Sequence, residues 1–384
     1  MLELDLNQDE IPFGTNIKII GVGGAGGNAI NTMIEYSLSG VEFIAANTNI
    51  LDLKRSNAKI KLQLGKEVTK GLGAGANPEI GRKSAEESRE DIKNNLKSAD
   101  MIFLAAGMGG GTGTGATPII ASLAREMGIL TIGIVNRPFI GEGKKRTINA
   151  EKGIQKLREN VDTLIVVPNE KLKEIYPDMT VIDAFKKADS ILYEAAKAVS
   201  DIIHFSGYMN VDFADVMTVM TNKGLALMGT GIADGDNRAA EAANTAMNNP
   251  LLSEITLENA KGILINITAG KDFKMDEFET ITQEIMKKAG DEGDIITGII
   301  FDNEMEGKVK VTLIATGLSA PGSIVYERES IISEKNDDNE DIGKTLQRIR
   351  HSDALNLTKN IETEINDTPD KQMEIPAFLR KFSN

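Results

Sequence analysis

The chain of 384 residues contains no cysteine, no tryptophan and only 2 histidines. The missing cysteine excludes disulfides, thiolate nucleophiles and cysteine-held zinc. Of the histidines, His204 lies inside Asp201-Ile-Ile-His-Phe205 and reads as a packed or capping residue, while His351 sits in a polar stretch. Catalysis must therefore rest on carboxylates, backbone N–H groups and a metal ion. Positive charge is also scarce: 43 basic residues against 57 acidic ones leave a net charge of −14. That argues against nucleic acid as a partner, because duplex binding needs concentrated positive charge. No run approaches the roughly eighteen apolar residues that a membrane span requires, so no direct membrane insertion is expected. The acidic start Met1-Leu-Glu-Leu-Asp5 lacks the basic opening of a secretion signal, and a cytoplasmic protein is expected.

Apolar residues make up 41% of the chain, ample for globular packing, and the length suits two domains plus an extension. The first half alternates helical segments with apolar runs at Asn16–Val22, Val41–Asn47, Lys59–Leu64, Met101–Ala106, Leu130–Asn136 and Thr163–Asn169. Runs apolar almost throughout are parallel strands covered on both faces, and the intervening helices predict a doubly wound α/β sheet. A long helix is expected from about Val181 to His204, with Ile182, Phe185, Ile191, Leu192, Ala195, Ala198, Val199 and Ile202 on one face. Met220 to Met247 reads as loops and short helices rich in Gly and Ala. Three further strand-like runs, Gly262–Thr268, Asp294–Phe301 and Lys308–Thr316, with a helix near Asp276–Ala289, predict a smaller α+β domain. Met217, Met220 and Met228 are expected in its packing. Past Leu318 the composition turns polar and acidic, which predicts a flexible linker that cannot bury enough surface to order itself. Apolar residues return only in Met373-Glu-Ile-Pro-Ala-Phe-Leu-Arg-Lys-Phe382.

The most informative segment is Gly107-Met-Gly-Gly-Gly-Thr-Gly-Thr-Gly115, directly after an apolar strand and before a helix-forming stretch from Ala116. Glycines at a strand end deliver bare backbone N–H groups, and the following helix points its positive end at the same place. This is a phosphate cradle without Lys or Arg, so hydroxyls, N–H dipoles and a metal must neutralise the anion. The first strand runs into a second glycine loop, Gly21-Val-Gly-Gly-Ala-Gly-Gly-Asn-Ala29, which satisfies the dinucleotide fingerprint through Gly21, Gly23 and Gly26. However, the second strand ends in Asn47-Thr-Asn49 rather than the acidic residue that would hold a ribose, and two phosphate loops suit a triphosphate better. A P-loop is excluded, since the lone Gly343-Lys-Thr345 lies in the acidic tail without its first glycine. Asp212 and Asp215 share a helix face; from spacing alone they are ordinary acids at a helix N-terminus, with Asn210 or Asp212 as cap.

Gly109–Gly115 resembles the signature of tubulins. With Gly21–Ala29 and Asn210-Val-Asp-Phe-Ala-Asp-Val216, the chain resembles the FtsZ family, bacterial cell-division relatives of tubulin, over about Ile17–Leu318 and again at Glu374–Lys381. The resemblance implies GTP and GDP binding with Mg²⁺, head-to-tail homopolymers, and GTP hydrolysis completed between subunits of a division ring at midcell beneath the inner membrane. It implies that Gly23, Gly24, Ala25, Gly26, Gly27, Asn28 and Asn47 hold phosphate and nucleoside. Gly109, Gly110, Gly111, Thr112, Gly113 and Thr114 would wrap the phosphates, and Ala74, Gly75 and Ala76 would sense the terminal one. Glu142 and Arg146 match ribose and phosphate contacts, Phe185 would stack on the base, and Asp189 would accept from guanine N1–H and its amino group. Asn210, Asp212 and Asp215 match the loop that enters the next subunit's pocket to polarise the attacking water.

The tail residues Ile375, Pro376, Phe378, Leu379, Arg380 and Lys381 match the family's docking peptide for membrane tethers and regulatory division proteins. The expected organisation is an extension over 1–12, a doubly wound GTP-binding domain over 13–180, and the central helix with the catalytic loop over 181–225. A C-terminal α+β domain over 226–318, a disordered linker over 319–372 and the docking peptide over 373–384 follow. Two departures stand out: Asn49 occupies a position usually Asp in the family, and Gly141 one usually aromatic. Against the family pattern, the first puts in doubt a carboxylate near the sugar or metal side of the nucleotide, and the second is expected to loosen packing under the sugar. Three rivals stay open: a nicotinamide-dependent oxidoreductase, a filament protein that binds nucleotide without hydrolysing it, and a tubulin relative acting in cell shape.

Overall fold

The structure, a computed structural model, describes residues 14–204, 211–221, 223–252, 257, 260–290 and 293–318. In chain order the first half comprises β1 (Ile17–Val22), α1 (Gly23–Glu35), β2 (Val41–Asn47), α2 (Ile50–Arg55), β3 (Ile60–Gln63), α3 (Lys66–Thr69), α4 (Pro78–Glu87) and α5 (Arg89–Leu96). It continues through β4 (Met101–Gly107), α6 (Thr112–Glu126), β5 (Leu130–Arg137), α7 (Lys144–Arg158), β6 (Thr163–Pro168) and α8 (Asn169–Ile175). The long helix is α9 (Val181–His204), followed by α10 (Phe213–Met220), β7 (Gly224–Asp234) and α11 (Arg238–Met247). Last come β8 (Gly262–Ala269), α12 (Met275–Ala289), β9 (Asp294–Phe301) and β10 (Lys308–Leu318).

The strands form one sheet in the order β3-β2-β1-β4-β5-β6-β7-β10-β8-β9. Every pair from β3 to β7 is parallel. Alternation along the strands divides the core: Ile17, Ile19, Met101 and Phe103 face α1 and α9, while Ile20, Val22, Ile102 and Leu104 face α6 and α7. A third core packs α11 and α12 on β8 and β10. The chain order reverses between β1 and β4, so a crevice opens beyond the carboxyl ends of those two strands, where α1 and α6 both begin.

Strand β7 departs from the expectation of loops and short helices over 220–247. Its glycines are what conceal it. A Cβ built on Gly229 would lie 2.1 Å from the Ala246 carbonyl oxygen, and one on Gly231 equally close to that of Ala242. Glycine here lets the backbone of α11 lie directly on the strand. β7 joins β6 through Thr163–Ile165 and Gly224–Ala226, making the sheet continuous. Met220 and Met228 are buried as expected, but Met217 is exposed on α10. His204 packs beside Gly40, with its Nδ1 3.1 Å from the Ser200 carbonyl oxygen. No helix among the described residues is long and apolar enough to cross a membrane.

Candidate functional site

Two helices aim their N-termini into the crevice, and neither has an acid or a base in its first turn. α1 starts at Gly23 and α6 at Thr112, both without an acidic first turn. The helix α6 begins four residues earlier than Ala116, so the second half of the glycine loop is itself the first helical turn. Close packing explains several glycines. A Cβ on Gly26 would lie 2.3 Å from the Ala105 carbonyl oxygen, and one on Gly113 2.6 Å from that of Gly107. Thr114 is buried and its Oγ1 accepts from the Gly109 N–H at 2.8 Å, bracing the loop from within. Thr112 Oγ1 lies 2.7 Å from Thr48 Oγ1, which ties the loop to the end of β2.

A cavity of about 550 Å³ fills the crevice. Gly24, Ala25, Asn28, Asn47, Ala74, Gly75, Gly110, Gly111, Thr112, Gly113, Glu142, Arg146, Phe185 and Asp189 all line it. Gly23 and Gly27 line an adjoining pocket of about 270 Å³ between α1 and α2. Gly26, Gly109 and Thr114 support the walls from behind rather than facing the space. Ala76 stands just outside in the left-handed region at φ 58°, after Gly75 at the same angle. That tight loop is pressed onto the glycine loop, since a Cβ on Gly111 would meet the Ala74 Cβ at 2.7 Å. Gly141 is exposed, and a Cβ built on it would meet nothing within 4 Å.

The ends of the cavity differ chemically. At one end Arg146 donates to Glu142 at 2.6 Å, and the Glu142 carboxylate also accepts from the Phe139 N–H at 3.0 Å. Phe139 meets Phe185 edge-on with ring centroids 5.3 Å apart, leaving the Phe185 ring 43% exposed at the mouth. One turn along α9, Asp189 has no hydrogen-bond partner among the described residues, and burial pushes its carboxyl up to about 7. Two residues missed by sequence reasoning lie here. Asn136 and Asn169 line the cavity, are buried, and leave their Oδ1 atoms without a partner. Both stand at the carboxyl ends of parallel strands, and a polar residue closing an apolar run was the available signal.

Among the described residues Arg146 is the one cation lining the main cavity, and it is already paired. Among the described residues no group of three acidic, cysteine or histidine side chains converges to cage a metal. The side-chain oxygen donors that line both the main cavity and the adjoining pocket are Asp52 and the amides of Asn28 and Asn47. Hard oxygen donors, with only one carboxylate, suit Mg²⁺ held mainly by substrate phosphates and water.

Asp212 and Asp215 are not in the cavity. Asp212 caps α10, its carboxylate accepting from the Asp215 N–H at 2.9 Å, and both side chains are exposed. They follow the end of α9 opposite to Phe185 and Asp189. The helix rises about 22 Å from Asp189 to His204. Asn210 and the tail residues from Ile375 to Lys381 lie outside the described residues.

Two parallel-strand glycine loops and paired helix N-termini over a strand-order reversal define a tubulin-like nucleotide-binding fold. Residues 16–177 match the Tubulin/FtsZ family GTPase domain, and residues 224–319 match the FtsZ family C-terminal domain. The chain belongs to the FtsZ family. It is 52% identical over 313 residues to cell division protein FtsZ of Pseudomonas putida, covering 81% of this chain and 79% of that one. With FtsZ of Buchnera aphidicola subsp. Baizongia pistaciae it shares 44% over 388 residues, covering 98% of each. Among solved structures, an empty FtsZ dimer from M. jannaschii superposes with a TM-score of 0.76 at 41% identity, covering 79% of this chain and 88% of that chain.

Proposed function

We propose that this chain is a self-assembling GTPase that polymerises head to tail into the filaments of the bacterial division ring. The glycine loops of one subunit bind GTP, and Asp212 and Asp215 of the next complete its hydrolysis. One observation carries the reading: the cavity and the acidic pair lie toward opposite ends of α9, so one chain cannot bring them together and a stacked copy can. Leu72 lines the cavity while largely exposed, and Leu51 and Ile140, within two residues of other lining positions, are exposed too, which favours a protein lid over open solvent. The relatives' name as cell division proteins, and the dimer formed by the M. jannaschii protein, support the same assignment.

In this reading the N–H groups of Gly24, Ala25 and Gly110 to Gly113 hold the phosphates, with Gly23, Gly26, Gly27, Gly109 and Thr114 keeping those loops in shape. Ala74, Gly75 and Ala76 sit where the terminal phosphate is sensed. Glu142 and Arg146 hold the sugar side, Phe185 stacks on the base, and Asp189 selects guanine, because adenine offers no matching pair of donors. Asn28, Asn47, Asn136 and Asn169 supply amides along the nucleoside. Mg²⁺, when bound, offsets the charge of the phosphates. Asn210, Asp212 and Asp215 orient or polarise the water in the joint site. Residues 319–372 act as a linker, and Ile375 to Lys381 dock membrane tethers and regulators, which places the filament at midcell beneath the inner membrane. A weak peptide repeated along a filament gains avidity.

The test is phosphate release at increasing protein concentration. The rate per subunit should rise steeply, and Asp212→Ala should keep GTP affinity while turnover drops by roughly 10²–10⁴, the usual worth of a positioned acid–base group. A rate per subunit that is constant with concentration would defeat the shared site.

A further inference from the structure

Two buried threonines meet where the end of β2 touches the second glycine loop. Thr48 is the first residue after β2, and Thr112 is the first residue of α6. Their hydroxyl oxygens lie 2.7 Å apart. Both belong to the cavity wall, but Thr48 is 0% exposed and Thr112 9%, so of the two only Thr112 reaches the space itself. Thr112 also stands at the junction of the two glycine loops, since a Cβ built on Gly23 would come within 3.3 Å of the Thr112 Cβ. The backbone around Thr48 is pinned. Its carbonyl accepts from Thr69 Oγ1 at 3.2 Å, and the Asn47 carbonyl accepts from the Leu64 N–H at 2.9 Å.

A threonine hydroxyl has one proton to give and lone pairs with which to accept. The 2.7 Å contact uses one of the two protons, and which residue supplies it decides where the other points. If Thr112 donated, the Thr48 proton would need an acceptor of its own. Thr48 is fully buried, and among the described residues its Oγ1 has no partner but Thr112. A buried hydroxyl proton without an acceptor costs more than an ordinary hydrogen bond returns. If Thr48 donates instead, the Thr112 proton is released toward the cavity, beside the N–H groups that open α6. We infer that Thr48 is a positioning residue: its hydroxyl donates to Thr112 Oγ1 and so commits the Thr112 hydroxyl to donate to a phosphate oxygen. The glycine loops carry no Lys or Arg, so an oriented hydroxyl proton is a real share of the positive field that the anion meets. With phosphate in place, the chain from Thr48 through Thr112 polarises in one direction, each bond strengthening the next. The inference rests on the GTP reading above and adds a residue that acts on the phosphates only through Thr112.

The experiment measures binding of a non-hydrolysable GTP analogue to the full chain, below assembling concentrations. The variants are Thr48→Val, Thr48→Ser, Thr112→Val and the double variant Thr48→Val with Thr112→Val. Valine keeps the branched shape without the hydroxyl, and serine keeps the hydroxyl. Thr48→Val should weaken binding about three- to tenfold, the worth of one ordinary hydrogen bond. Thr48→Ser should bind as the unaltered chain does. Thr112→Val should weaken binding about tenfold or more, because the bond it loses is to a charged group. The double variant should be no weaker than Thr112→Val alone. A Thr48 that merely filled space would tolerate valine better than serine, and its cost would be the same with or without the Thr112 hydroxyl. Unaltered affinity in Thr48→Val, a Thr48→Ser as weak as Thr48→Val, or an additive loss in the double variant overturns the inference. Circular dichroism checks the fold of each variant, and Thr48→Ala takes the place of Thr48→Val if the valine chain does not fold. Failure of the unaltered chain to bind the analogue would strike the GTP reading itself, and this inference with it.

Discussion

Asp189 gives the sharpest quantitative test of how the base is recognised. Burial pushes its carboxyl up to about 7, and no donor among the described residues relieves it. If it accepts from guanine N1–H and the amino group, only the ionised form binds well, and binding drives the proton off. At about pH 8 roughly nine-tenths of free sites are ionised, and at about pH 6 roughly one-tenth, so affinity for GDP should weaken about tenfold between them. Asp189→Asn should bind guanine nucleotides more weakly at about pH 8 and lose this slope. Phosphate titration affects both proteins alike and cancels in their ratio, which calorimetry or fluorescent GDP can supply. Without nucleotide the sign reverses. The folded chain then holds the Asp189 proton more firmly than the unfolded chain between about pH 4 and 7, so its stabilisation is complete at the acid end and lost as pH rises through 7. Asp189→Asn should therefore unfold at a higher temperature than the parent at about pH 8. Equal pH slopes for the two proteins would refute the assignment of Asp189 to the base.

Two further outcomes test the scaffold. Arg238 is buried and donates to Asp272 at 2.6 Å and to Glu277 at 2.6 and 2.9 Å, tying α11 to α12. Arg238→Ala should cost roughly 2–3 kcal/mol in denaturant unfolding, below the full penalty for breaking a buried pair because the two carboxylates reach water, and GDP affinity should not change. Gly231→Ala places a methyl 2.1 Å from the Ala242 carbonyl oxygen, so α11 must shift. A loss of roughly 1–3 kcal/mol is expected, and an unchanged midpoint would mean that the helix does not rest on the strand as described.

The parallel half was legible because its signal is simple. Strands such as Met101–Gly107 are buried on both faces and read as unbroken apolar runs. Helix α9 was legible from its stripe of apolar residues, and its bounds agree with those expected, although Ile182 and Phe185 at its start are exposed and only the stripe from Ile191 onward is buried. β7 was not, because Gly224, Gly229 and Gly231 imitate a loop, while Gly229 and Gly231 serve close contact with the backbone of α11, information that resides in the tertiary structure. The cavity followed from glycines at strand ends, whereas Asn136 and Asn169 become conspicuous only when burial strips them of partners. The two readings of Asp212 turn out to be compatible: it caps α10 within its own chain and still presents its side chain to solvent.

The position of β10 between β7 and β8 has a consequence for synthesis. The six strands β1 to β6 find all their partners among one another, apart from the short seam to β7, so this part can close while the ribosome is still translating. β7 and β8 must wait for residues 308–318, the last described stretch, with long hydrogen-bonding edges uncovered in the meantime. A transcript broken between β8 and β10 would release a product with its parallel strands paired and the edges of β7 and β8 uncovered, a ready substrate for aggregation or quality-control proteolysis.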